Sequence, residues 1–153
     1  MWRSSSLLDR LFKISGKLTL NPKSDDFRLV AGALHDASAE VRERAIFIGA
    51  LRWKDPTIVG YLYFALVTDA ELDENNRRLL IESLVSASLS GQLDSSALER
   101  ELLATLRRVE HSQLEAKAAF VGLQRIRGLM STSEWAVNDY GRVVVDIGVL
   151  DVA

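Results

Sequence analysis

Apolar residues along the chain recur at three- and four-residue intervals between short polar breaks, a pattern that predicts helices joined by tight turns. Leu7, Leu8, Leu11, Phe12, Ile14 and Leu18 share one face of a first helix, opened by Ser6 and Asp9 and closed by Asn21-Pro22. Ser24 caps a second, with Asp25 and Asp26 at its positive end and Phe27, Val30, Ala31 and Leu34 along it. After the polar turn His35-Asp36-Ala37, Ser38 caps a third helix carrying Val41, Ala45, Ile46, Ile48 and Gly49. Asp55-Pro56 starts the fourth: aspartate receives free amides, and proline at the first helical position loses no bond. This helix is heavily apolar, with Ile58, Val59, Leu62, Phe64, Ala65 and Leu66. Asp73 caps a fifth helix through Leu79, Leu80, Ile81 and Leu84, which ends at Ser88-Leu89-Ser90-Gly91.

Three capping boxes are predicted next, Ser96 with Glu99, Ser112 with Glu115 and Ser131 with Glu134. The tail is ambiguous. Residues 142–150 are β-branched enough for a strand, but no partner strand is evident, and a lone strand cannot satisfy its backbone. A final helix from Ser133 with a frayed end is the expectation. Short connections between helices of this length imply antiparallel pairs.

The pairs repeat. Ala33-Leu34 precedes Asp36, with Val41-Arg42 and Ala45-Ile46 after it. Ala65-Leu66 precedes Asp69, with Asn76-Arg77 and Leu80-Ile81 after it. Leu106 precedes Glu110-His111-Ser112, with Leu114-Glu115 and Ala118-Ala119 after it. Phe47-Ile48-Gly49 and Phe120-Val121-Gly122 also correspond. Over residues 25–128 this pattern resembles HEAT-like helical repeats. The resemblance implies an all-α fold, a short α-solenoid of antiparallel helix pairs. It also implies a polar ladder between neighbouring repeats, to which Asp36, Arg42, Asp69 and Arg77 correspond. The third copy departs, because Glu115 stands where arginine is expected. One domain follows: an N-terminal capping helix over 1–22, three helix pairs over 24–128, and a C-terminal capping segment over 131–153. Small residues such as Ala31, Gly32, Ala45, Gly49, Ala118 and Gly122 permit close helix approach.

Composition narrows the function classes. The chain has 153 residues, 48% of them hydrophobic, and no cysteine, so disulfides, thiolate catalysis and Cys-ligated zinc are excluded. No stretch is apolar enough for a membrane span and the first residues are not a secretory signal, so a cytoplasmic protein is expected. Net charge is −2, but it is uneven. Residues 1–24 hold five basic groups and one acidic, whereas residues 61–100 hold three basic and seven acidic. The near-neutral total argues against a dedicated nucleic-acid binder.

Little catalytic chemistry is visible. His35 and His111 fall in corresponding turns, where helix-end or solvated roles are the plainer reading than a metal or acid–base pair. Asp69-x-Glu71-x-Asp73 suggests calcium, but an EF-hand loop needs glycine and glutamate where Glu74 and Leu80 stand. No phosphate loop, dinucleotide fingerprint, nucleophile elbow or zinc helix is present. No catalytic residue, cofactor or metal is therefore assigned. Trp53 and Tyr61, with Asp69, Glu71, Asp73 and Glu74, are the candidate partner contacts.

The expected function is a non-enzymatic protein-binding module, an immunity- or antitoxin-like protein that masks a basic partner protein. Two alternatives stand beside it. One is a HEAT-like lyase or chaperone that assists cofactor attachment, as in proteins similar to bilin lyases. The other is binding of nucleic acid or a membrane surface through Arg3, Arg10, Lys13, Lys17 and Lys23.

Overall fold

The computed structural model describes residues 2–16 and 24–151, the side chains of residues 2–5 excepted. The expectations placed on Leu18, Asn21-Pro22, Lys17 and Lys23, and on the Arg3 side chain, lie outside the described residues. Among the described residues eight α-helices follow one another: α1 (Trp2–Ile14), α2 (Asp25–Ala33), α3 (Ala39–Ile46), α4 (Pro56–Val67), α5 (Glu74–Leu89), α6 (Ser95–Arg108), α7 (Leu114–Ile126) and α8 (Thr132–Ala136). No strand occurs among the described residues. The protein is all-helical, and no described helix is long and apolar enough to cross a membrane.

Local chemistry sets the starts. Ser24, Ser38, Asp55 and Asp73 each accept the backbone amide three residues on, at 3.2, 3.4, 3.0 and 2.9 Å. These are the caps expected for α2 to α5. Of the three expected capping boxes, the described structure forms one, Ser131 with Glu134. Helix α6 begins earlier than expected: Asp94 is its cap, and Glu99 faces Arg127 at 3.6 Å. Helix α7 has no side-chain cap of its own. Glu74 of α5 supplies the acceptor instead, receiving the Leu114 amide at 3.0 Å, while Glu115 turns inward.

The third helix does not run through Gly49 as a regular α-helix. Phe47–Arg52 widens into a π-helical segment, with the Trp53 amide donating to the Ile48 carbonyl at 2.8 Å. At Gly49, even a single Cβ would lie 2.5 Å from Ile58 Cδ1 of α4, so the absent side chain permits this approach. Gly122 acts likewise between α7 and α5, where a Cβ would lie 2.8 Å from Val85 Cγ2.

Helix α5 packs between α3 and α7, α2 lies on α3, α4 on α5 and α6 on α7. The core is continuous through these contacts, from Leu11, Val30 and Val41 through Ile58, Ile81 and Leu84 to Leu102 and Leu123. The tail corrects the expectation of a helix from Ser133. Five-residue α8 is followed by 3-10 turns at Tyr140–Arg142 and Ile147–Asp151. The segment is held by side chains. Tyr140 donates to Glu82 Oε1 at 2.8 Å, Lys117 Nζ donates to the Tyr140 carbonyl, and Arg125 stacks on Trp135 at 4.1 Å. Leu150 is buried.

Candidate functional site

The turn between α2 and α3 faces the turn between α4 and α5 across a cleft of about 370 Å3. Leu34, Ile46, Leu62, Ala65 and Leu80 give it apolar walls, and His35, Asp36, Arg42, Tyr61 and Glu71 contribute its polar groups. That volume lies within the range of small-ligand and side-chain pockets, about 300–1,000 Å3.

One ion pair organises the cleft. Arg42 Nε donates to both oxygens of Glu71, at 2.9 and 3.0 Å, and Arg42 Nη1 donates to the carbonyls of Asp36 and Ala37. The hydrogen bonds that Arg42 donates to Glu71 raise the Arg42 pKa above its ordinary value, against the opposing effect of burial. Glu71 is buried and fully occupied. Asn76 Nδ2 also donates to its Oε1 at 2.8 Å, and the Leu72 amide to its Oε2 at 3.0 Å. Tyr61 Oη lies 3.4 Å from His35 Nδ1, and the two rings meet edge to face at 4.8 Å. Burial, followed by the nearby Glu71 charge, raises the Tyr61 pKa.

The ladder positions are joined differently from the resemblance's pattern. The Asp36 carboxylate accepts the Ser38 amide and makes no ion pair among the described residues. Arg42 pairs instead with Glu71 of the next turn. Arg77 of α5 is held more loosely: Nη2 donates to the Leu72 carbonyl, and Nε lies 3.6 Å from Glu115 without a hydrogen bond. Asp69 lies 3.9 Å from Arg108 and ends α4 in a left-handed conformation, φ 55°. Glu115, the residue out of pattern, is a buried carboxylate facing Arg77 and Arg108. Burial raises its pKa, while Arg77 and Arg108 partly offset that.

The cleft brings together Tyr61 and Glu71 of the six candidate partner contacts. Trp53 is half-buried against the core beside the π-helical segment, and it is not among the cleft's lining residues. The acidic run is largely engaged within the fold: Glu71 with Arg42, Asp73 as the α5 cap, Glu74 on the Leu114 amide. This weakens the physical basis for reading residues 69–74 as a free acidic surface. His111 Nε2 lies 3.0 Å from the Leu106 carbonyl at the end of α6, a helix-end role. Among the described residues, no three His, Asp or Glu groups are placed to hold a metal ion.

A second feature adjoins the cleft. Helix α4 contains no Asp, Glu, Lys or Arg from Pro56 to Val67. Its inner face is buried through Ile58, Val59, Leu62, Ala65 and Leu66. Gly60, Phe64 and Val67 form an outward stripe at helical spacing, with Phe64 59% and Val67 45% exposed. Leu72, at the cleft, is 79% exposed. The sequence pattern places Phe64 among the apolar residues of this helix without assigning it a side. The missed signal was the absence of any charge across a whole helix, which leaves no polar side to turn outward.

No family model, curated protein or solved structure matches the chain significantly.

Proposed function

We propose that this chain is a non-enzymatic protein-binding module, a short HEAT-like stack of helix pairs that docks a partner protein across the outer face of α4. The observation that carries this is the uncharged outer face of α4 with Phe64 and Val67 exposed, together with exposed Leu72 at the cleft. Grouped exposed apolar side chains mark interaction sites, whereas singly scattered ones do not. Interface centres are likewise depleted in charge and enriched in aromatic residues. Gly60 supports the same reading. A Cβ there would meet nothing within 4 Å, so the chain's own packing does not require glycine. A helical glycine costs up to about 1 kcal/mol, and its bare surface leaves room for close approach by another backbone. Masking of a partner, as an immunity- or antitoxin-like protein performs it, is one use of such a face.

Photo-crosslinking tests the proposal. A benzophenone amino acid is placed at Phe64, and as a control at exposed Arg100, in cells that natively make the protein. The expected result is a discrete adduct with one other protein from position 64 and none from position 100. Equal adducts from both sites, none from 64, or adducts only at twice the chain's own mass would overturn it.

A further inference from the structure

The cleft has a charge character that the face of α4 lacks. Asp36 and Glu71 line the cleft beside the guanidinium of Arg42, and the charge of Asp73 also acts on Arg42. Glu71 is neutralised by Arg42 and saturated with donors, and Asp73 is held as the α5 cap. Asp36 differs. It lines the cleft half-buried, its Oδ2 accepts the Ser38 amide, and no described residue donates to its Oδ1. Asp36 Oδ1 is therefore the carboxylate oxygen left open at the cleft as an anionic acceptor. Nearby are the aromatic pair Tyr61 and His35 and the apolar walls Leu34, Leu62 and Ala65.

We propose that this cleft receives the cationic side chain, lysine or arginine, of a residue on the docked partner protein. The proposal rests on the protein-binding reading above and specifies what that partner presents. A long basic side chain matches each part of the lining. Its methylene stem covers apolar wall, its head donates to the Asp36 carboxylate, and its charge is attracted to the Tyr61 ring. The carboxylate surplus repels an anionic side chain. A neutral apolar side chain would fill the walls but leave Asp36 unanswered. Flanking apolar residues of the same segment would lie on Phe64, Val67 and Leu72. The basic character expected of the partner thus attaches to Asp36 and not to the acidic run 69–74.

The test uses the full chain and small probes, so it needs no knowledge of the partner. Amide spectra are titrated with N-acetyl-arginine methylamide, N-acetyl-lysine methylamide and the neutral N-acetyl-norleucine methylamide. The expected result is saturable shifts at His35, Tyr61, Ala65 and Ala70 for a cationic probe, with norleucine weaker by about tenfold, the worth of one charge-assisted contact. Asp36→Asn keeps an oxygen for the Ser38 amide, so the turn is retained. It is expected to weaken the cationic probes to the level of norleucine. Equal response to cationic and neutral probes, no response, or shifts confined to other residues would overturn the proposal without recourse to any variant. A crosslink from position 64 together with a flat cation titration would remove the cleft assignment alone. A cation response without any crosslink would remove the docked partner and leave a cation-binding cleft.

Discussion

Arg42 and Glu71, 29 residues apart in sequence, meet through one Nε atom that donates to both carboxylate oxygens, at 2.9 and 3.0 Å. The pair ties α3 to the turn that precedes α5. Glu71 is 8% exposed and Arg42 18%, so neither charge is well hydrated. Removing one partner strands the other. Arg42→Met is expected to lower unfolding free energy by about 3–5 kcal/mol, the cost of leaving a buried charge uncompensated. The double variant Arg42→Met/Glu71→Met is expected to lose less than Arg42→Met alone. Urea unfolding of the cycle measures this, and strict additivity would show that the two side chains do not act as a pair.

Glu115 makes stability depend on pH. Its folded pKa is raised above the ordinary carboxylate value, chiefly by burial. The folded state therefore binds this proton more tightly than the unfolded chain does. The associated stabilisation is complete below the unfolded pKa and is lost as pH rises through the folded one. Glu115→Gln mimics the protonated form. Across the window opening upward from the ordinary carboxylate pKa, the variant is expected to lack the part of the decline that Glu115 contributes. Parallel stability curves for the two proteins would contradict this.

The glycines should respond with opposite signs. Gly49→Ala and Gly122→Ala place a Cβ against Ile58 and Val85, and overpacking of this kind costs about 1–3 kcal/mol. Gly60→Ala meets nothing and should gain about 0.5–1 kcal/mol of helix stability. Thermal unfolding of the three variants gives the order. If Gly60 serves close docking, the same substitution weakens partner binding while raising the melting temperature.

Asp55 is a cap with 7% exposure, and its carboxylate receives the Ile58 amide. Asp55→Ala is expected to cost about 1–2 kcal/mol, while Asp55→Asn should recover most of that. Denaturant midpoints for the two variants separate a capping role from a purely electrostatic one.

What the sequence made legible was local. The caps of α2 to α5 are contacts across three residues, so composition and spacing are enough to find them. The π-helical widening at Phe47–Arg52 was not legible, because it accompanies the approach of Ile58 to Gly49, a tertiary contact. The expected capping box at Ser112 failed for a similar reason: Glu74, 40 residues away, answers the Leu114 amide, which leaves Glu115 available to Arg77. Tyr61 and Glu71 were recognisable as candidates by residue type. Their meeting with His35, Asp36 and Arg42 in one cleft depends on how two turns face each other, which spacing alone does not encode. Phe64 was visible as an apolar residue, but helical periodicity cannot say which side of an all-apolar helix is left uncovered.

The role assigned to α4 is tested most directly by isothermal titration of the crosslinked partner against the native chain and Phe64→Asp. An aspartate on this exposed stripe should leave the melting temperature nearly unchanged. It should weaken affinity by about thirtyfold or more, the loss expected at an interface hot spot. Unchanged affinity in a well-folded Phe64→Asp protein would contradict it.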